Sequence, residues 1–417
     1  MKTIIHRSIR WVVAVGATAS LAACSNLLDV KFPGQIPSDQ IQDPTLAAVL
    51  VRSAVGDFEC AYSNYMSGSS VHSDEYETSN SNVPLANWGE RSITADENDY
   101  SIGTCEGNFG MYLTLHTARF QTEDVLTKLN TWTDAQVSAT NPNLRKDLLA
   151  QAKIYGAYTY LLFGEGFCRV SYDGAAPVDP LASLALAETK FTEGIAMATA
   201  AGNATMLDLA RVGMARTKMD LKKWSEAATF AGQVSPGFTK TADRGQESSR
   251  RWNKLWRLAE QIGAYTVAPA YRTMGDPRVN VVDAGRGAFN SEVRLWITKK
   301  YTALTSPMRL ASFIEANLIR AEALAQQDQP GPAMAIINAR RAEAAVGLPT
   351  LVANTKADAI AAIIEERRRE LSFEGGHRLN DLLRYNIPWK VGQNPFTNRP
   401  YGTTTCWPQP TRETNGV

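Results

Sequence analysis

Apolar residues recur at helical spacing along most of the chain. After Asp43 and Pro44, which read as an N-cap and a first helical residue, Leu46, Val49, Leu50 and Val51 lead on to Phe58 and Tyr62, the pattern of a long helix. The same periodicity predicts helices over 107–130, over 144–163 (closed by "GEGF"), over 181–200 and over 206–234. The last of these holds two helical runs joined around Leu221 to Trp224. Small Gly213, Ala215, Ala227 and Ala231 allow close approach, and Trp224 and Phe230 fill the gaps. Residues 313–347 form a second such pair, interrupted by "DQPG". This is the logic of tetratricopeptide (TPR) hairpins, without a strict repeat of about 34 residues. The expected class is mainly α: a TPR-like helical scaffold carrying long irregular insertions.

Two insertions, at about 67–105 and 236–305, break the pattern. The first is dominated by Ser, Asn, Asp, Gly and Thr, the second sets its aromatics among Pro, Gly and Asp, and both are studded with aromatics. Loops this long inside a compact chain are usually functional or disordered, and pure linkers are poor in aromatic residues. An aromatic face can stack on the C–H patches of a sugar ring with little loss of entropy, while nearby polar groups bind its hydroxyls. Tyr76, Trp88, Trp252, Trp256, Tyr271 and Trp296 are therefore the candidate platform residues. For any one of them the core is the commoner place. The tail after Tyr385 is loop-rich, with Pro388, Pro395, Pro400, Pro408 and Pro410.

The N-terminus reads as an export signal. Lys2, His6, Arg7 and Arg10 precede an apolar stretch over 11–23 that is too short to span a bilayer and ends in "LAAC", a lipobox. Residues 1–23 are thus expected to be a lipoprotein signal peptide, Cys24 the lipidated residue, 24–42 a tether and 43–417 a single α-rich domain. Setting Cys24 aside leaves Cys60, Cys105, Cys168 and Cys406. Four cysteines in an oxidising compartment allow three pairings, of which Cys60–Cys105 with Cys168–Cys406 is preferred. The 43 basic and 42 acidic residues nearly cancel, which argues against a nucleic-acid partner.

Catalytic signatures are missing. His72, His116 and His377 lie far apart in sequence, so no metal site is expected, and no cofactor fingerprint occurs. Asp74 with Glu75, and Asp96 with Glu97 and Asp99, could serve as a glycosidase pair or bind Ca²⁺, although solvated loop acids are the plainer reading. The densest charge is "EERRRELSFEGGHR" at 365–378. On a helix Ile360, Ile364, Arg367 or Arg368, and Leu371 share one face, with Glu365 and Glu366 in reach of Arg369. Gly375 and Gly376 would cap the helix end. The run reads as a partly buried ion-pair seam locking the last helix onto the scaffold.

Several stretches together resemble the SusD/RagB family of outer-membrane nutrient-binding lipoproteins. They are "LAAC" followed by "NLLDV", "YLLFGEGF" (160–167), "YRTMGDPRV" (271–279), "LIRAEALA" (318–325) with "INARRAEAAVG" (337–347), "IIEERRRELSFEGGHRLNDLLR" (363–384) and "PQPTRET" (408–414). The resemblance implies about four TPR-like hairpins and an oligosaccharide face on the insertions. It further implies binding without cleavage, and a SusC-like TonB-dependent transporter as partner at the outer membrane, facing the cell exterior. Two alternatives are a secreted glycan hydrolase using loop carboxylates and a structural TPR adaptor.

Overall fold

In a computed structural model, residues 40–80, 82–106 and 110–415 are described. The expected signal peptide, Cys24 and the tether as far as residue 39 lie outside the described residues. The chain from Pro44 onward forms one compact unit built on ten substantial helices: α1 (Ala47–His72), α2 (Tyr112–Thr131), α3 (Leu144–Gly166), α4 (Pro180–Ala201), α5 (Ala204–Asp220), α6 (Trp224–Gly232), α7 (Phe313–Gln326), α8 (Pro330–Ala342), α9 (Lys356–Glu370) and α10 (His377–Tyr385). Local chemistry sets many of their starts. Pro180 and Pro330 open α4 and α8, where a missing N–H costs nothing. Asp179, Asn203, Ser312 and Thr355 cap the first turns of α4, α5, α7 and α9. α1 is instead preceded by a 3-10 turn over Pro44–Leu46.

Consecutive helices pack pairwise, α3 on α4, α5 on α6 and α7 on α8, with α9 laid against α7. Their small residues do what the pattern predicts: Ala215, Ala227 and Ala231 are fully buried. Strands are short: β1 (Tyr76–Thr78), β2 (Thr239–Ala242), β3 (Tyr265–Val267), β4 (Val281–Gly287), β5 (Arg294–Thr298) and β6 (Met308–Ser312). They pair antiparallel as β1–β3, β2–β6 and β4–β5, each a separate two-stranded ribbon. Cys60 is bonded to Cys105 and Cys168 to Cys406.

The segment 67–105 departs from the expected surface loop. α1 continues through Ser67, Gly68, Ser69 and Ser70 to His72, and from Asp57 onward every residue of it is buried. Two of its hydroxyls are met by carbonyls inside the fold: Ser69 donates to the Met66 carbonyl at 3.2 Å, and Ser63 to the Trp252 carbonyl at 3.0 Å. The tract is polar because helix and neighbours approach closely there. A methyl on Gly68 would lie 2.7 Å from the Trp88 ring and 2.5 Å from Met111 Sδ.

The charged run over 365–378 is interior. Arg367 is 1% exposed and points its Nε at Asp381 of α10, 2.9 Å away, with Glu322 of α7 at 3.7 Å. Arg278, from the "GDPR" turn, reaches Asp276 at 2.7 Å and Glu366 at 2.8 Å. Arg340 of α8 reaches Glu370 at 3.0 Å. The seam therefore joins α7, α8, α9 and α10, which fixes their register more surely than it adds stability. The helix stops earlier than the glycines imply. α9 ends at Glu370, and Gly376 stands at the start of α10 instead of capping α9.

Candidate functional site

Three of the six aromatics expected as platforms are core residues. Tyr76 sits on β1 opposite Val267, wholly buried, with its ring 5.2 Å from Phe373. Trp88 is 1% exposed under Gly68, and its indole N–H donates to Glu97 at 3.3 Å. Tyr271 is wholly buried, donates to Asp74 at 3.3 Å and lies under the Arg368 guanidinium at 4.5 Å. For Trp88 and Tyr271 the polar neighbours include the carboxylates that the buried N–H and hydroxyl need. No ring face of these three is open to a ligand.

The other three, all from 236–305, are half-buried. Trp252 has cations near its ring, Lys254 at 5.6 Å and Arg257 at 5.4 Å. Trp296, on β5, faces Arg272 at 5.2 Å. Trp256 lines a cavity of about 280 Å³ with Glu260, Ala284, Arg286, Ile297, Lys299, Tyr301 and Thr302.

Two local devices build this cavity. One wall is a short helix over Lys254–Trp256, capped by the Asn253 side chain, that runs into a π-helical turn over Arg257–Ile262. The spacing of four brings Trp256 and Glu260 to the same face, and π turns are frequent at functional sites. Gly263, at φ 73°, ends that turn, and its carbonyl accepts the Phe289 N–H at 2.7 Å. A side chain at Gly263 would meet the Phe289 nitrogen at 3.1 Å, so only glycine lets the turn lie on the β4–β5 hairpin. The hairpin is the other wall. Alternation puts Ala284 and Arg286 of β4, and Ile297 with Lys299 just past β5, on the cavity side. Asp283 and Trp296 pair on the opposite face, where Asp283 is bridged by Arg294 at 2.8 Å.

The cavity combines an indole, a carboxyl, two cations and the Tyr301 and Thr302 side chains. Burial pushes the Glu260 carboxyl up to about 8, against the Lys299 ammonium and a hydrogen bond from the Trp256 side chain. At neutral pH it is therefore protonated and can donate. Among the described residues Glu260 is the only acid lining the cavity, whereas glycoside hydrolysis requires a pair. The arrangement can stack a ring and bind hydroxyls, and it holds no second carboxylate for bond cleavage. Sequence reasoning found Trp256 and missed Glu260, Arg286, Lys299 and Thr302. The spacing from Trp256 to Glu260 was the one signal available for these.

The remaining suspects are structural. Asp74 makes a bidentate pair with Arg378 at 2.6 and 2.7 Å. Glu75 accepts the Phe373 N–H at 2.5 Å, and burial lifts its carboxyl to about 7. Glu97 accepts from Asn87 and Trp88. His72 packs against Trp389 and Trp407, and His116 against Tyr112 and Phe163. Burial holds both imidazoles down to about 3, so they stay neutral. A second cavity, of about 210 Å³, has Trp224 and Tyr385 in its wall, but there Tyr385 donates to Glu322 at 2.6 Å and Arg384 serves the ion-pair seam. Among the described residues no helix is long and apolar enough to cross a membrane.

Residues 295–415 match the SusD family. No curated protein matches the chain. Solved structures show the same fold across most of it. A SusD homolog from Bacteroides thetaiotaomicron VPI-5482 superposes with a TM-score of 0.67 at 14% identity, covering 90% of this chain and 96% of its own. A SusD-like carbohydrate binding protein from Bacteroides vulgatus ATCC 8482 gives 0.63 at 16%, covering 82% and 83%. A laminarin binding SusD-like protein gives 0.59 at 17%, covering 89% and 97%. The matched region holds most of β5 with Trp296, the α7–α8 hairpin and the buried charge of α9, so that over these residues the chain is similar to the SusD/RagB family, on a helical architecture that the solved structures share.

Proposed function

We propose that this protein is a cell-surface lipoprotein that binds oligosaccharide without cleaving it and passes it to a TonB-dependent outer-membrane transporter of the SusC type. The observation that carries the binding reading is the half-buried Trp256 indole in a cavity with Glu260, Arg286, Lys299 and Thr302, on the fold of carbohydrate-binding relatives. An aromatic floor with a few convergent polar groups is the usual make-up of a sugar site. The single carboxyl in the cavity supports binding over hydrolysis. The lipobox at Leu21–Cys24 supports attachment by lipid, and the family supports the transporter partner. Trp252 and Trp296, half-buried and each near a cation, remain candidate platforms outside this cavity.

Calorimetric titration against an oligosaccharide panel, with reducing-end detection on the same samples, tests the reading. Heat of binding without new reducing ends supports it, and turnover refutes it. Loss of the membrane-bound fraction in Cys24→Ser, together with co-purification of a TonB-dependent receptor from wild-type cells, tests the anchor and the partner.

A further inference from the structure

We propose that the cavity beside Trp256 selects an anionic sugar ring, one bearing a carboxylate or a sulfate, over its neutral counterpart; this rests on the sugar-binding reading above. The argument is one of charge left over. Across the chain 43 bases face 42 acids, and the arginines of the α8–α10 seam are matched to carboxylates. Arg286 and Lys299 are not matched. The Arg286 guanidinium donates only to the backbone carbonyls of Glu260, Gln261 and Gly287. Lys299 is exposed and forms no salt bridge with any described residue. The nearest acid on the hairpin, Asp283, points to the other face and is taken by Arg294. Glu260, which could have neutralised them, is 9% exposed, with one carboxyl oxygen lacking any hydrogen-bond partner. Its protonated state adds a donor to the cavity and no negative charge.

The segment that leads into the cavity wall is also basic. Between 244 and 257 the chain carries Arg244, Arg250, Arg251, Lys254 and Arg257 against the single acid Glu247. Glu59 and Asp57 take up Arg244 and Arg250, while Arg257, in the same π-helical turn as Glu260, stacks on Trp252. The cavity thus offers donors and positive charge beside an indole face. Two cations fixed near one aromatic ring bind an anionic ring by charge-assisted hydrogen bonds, and a neutral ring leaves them without a partner.

The test uses matched pairs on the full soluble chain. Oligogalacturonate is titrated beside its methyl ester, mixed-linkage mannuronate and guluronate oligomers beside their carboxyl-reduced forms, and sulfated galactan oligomers beside their desulfated forms. At least one acidic form should bind about tenfold more tightly than its neutral mate. That margin should shrink as salt is raised. Lys299→Gln should erase most of the preference, with its melting curve reporting any cost of the lost attraction to Glu260. Arg286→Gln should do the same, with its melting curve reporting any cost of the lost carbonyl contacts. Equal or tighter binding of the neutral forms, or a preference that survives Lys299→Gln and Arg286→Gln, overturns the inference alone. Silence from the acidic forms, with binding of neutral glycans lost in Trp256→Ala, also overturns it and leaves the sugar site standing. Silence from every glycan overturns both.

Discussion

The segments 67–105 and 236–305 look alike as sequence and behave differently as structure. Both mix Ser, Asn, Asp and Gly with large aromatics. In the first, the rings are closed over: Trp88 by Gly68 with its indole N–H on Glu97, Tyr100 with its hydroxyl on the Pro408 carbonyl, and Tyr76 wholly buried against Phe373. In the second, Trp252, Trp256 and Trp296 keep part of their surface, and the charges beside them are cations. Polar company in sequence thus has two causes. A buried ring needs a hydrogen-bond partner, and a ligand platform needs groups that stay free for the ligand. Ring exposure separates the two cases here, and the unpaired cations Arg286 and Lys299 mark the cavity beside Trp256.

The comparison can be broken most directly at Trp88. Trp88→Ala removes a fully buried indole and its bond to Glu97, and should cost about 3–5 kcal/mol of stability in denaturant titration. Glycan affinity of the molecules that remain folded should stay intact. A stable variant with lost affinity would return the first segment to the ligand face. Next in size, Arg367→Met leaves Asp381 and Glu322 short of one cation and should cost about 3 kcal/mol by the same measurement, again without effect on binding. Trp256→Ala should show the reverse pattern. It should lose about 2 kcal/mol of binding, roughly thirtyfold in affinity by calorimetry, with little change in melting temperature.

The smallest effect sharpens the comparison through pH. The Glu260 carboxyl is raised from its ordinary 4.5 to about 8. A raised acid contributes stability that is complete below pH 4.5 and is lost as pH climbs to 8, because the unfolded chain releases the proton first. Glu260→Gln should flatten that part of the melting temperature against pH profile. An unchanged slope between pH 4.5 and 8 would place Glu260 in contact with water and remove the protonated donor from the cavity.

Much of the scaffold was legible. Periodicity over 144–163 and 181–200 anticipated α3 and α4 within a few residues, because amphipathic faces repeat on a scale that the sequence displays. The seam was legible too, since an arginine standing in an apolar register must find buried carboxylates. The extension of α1 through "SGSS" was not. Ser and Gly there serve close packing, and composition carries no sign of what packs against them. The cavity was half legible. Trp256 stood out by type, while Arg286 and Lys299 are selected by strand alternation around an irregular pairing between Asp283 and Gly287, which only the folded hairpin reveals.

The Cys168–Cys406 bond joins the residues just after α3 to the irregular tail, a separation of 238 residues. Every chain segment between them, including α4 to α10 and both walls of the Trp256 cavity, lies inside one covalent ring. A protease that cuts any exposed turn in that span opens the ring into a single branched molecule, and no piece can diffuse away. The bond converts a nick from loss of half the molecule into a local defect, visible as one band on a non-reducing gel and two once the disulfide is reduced.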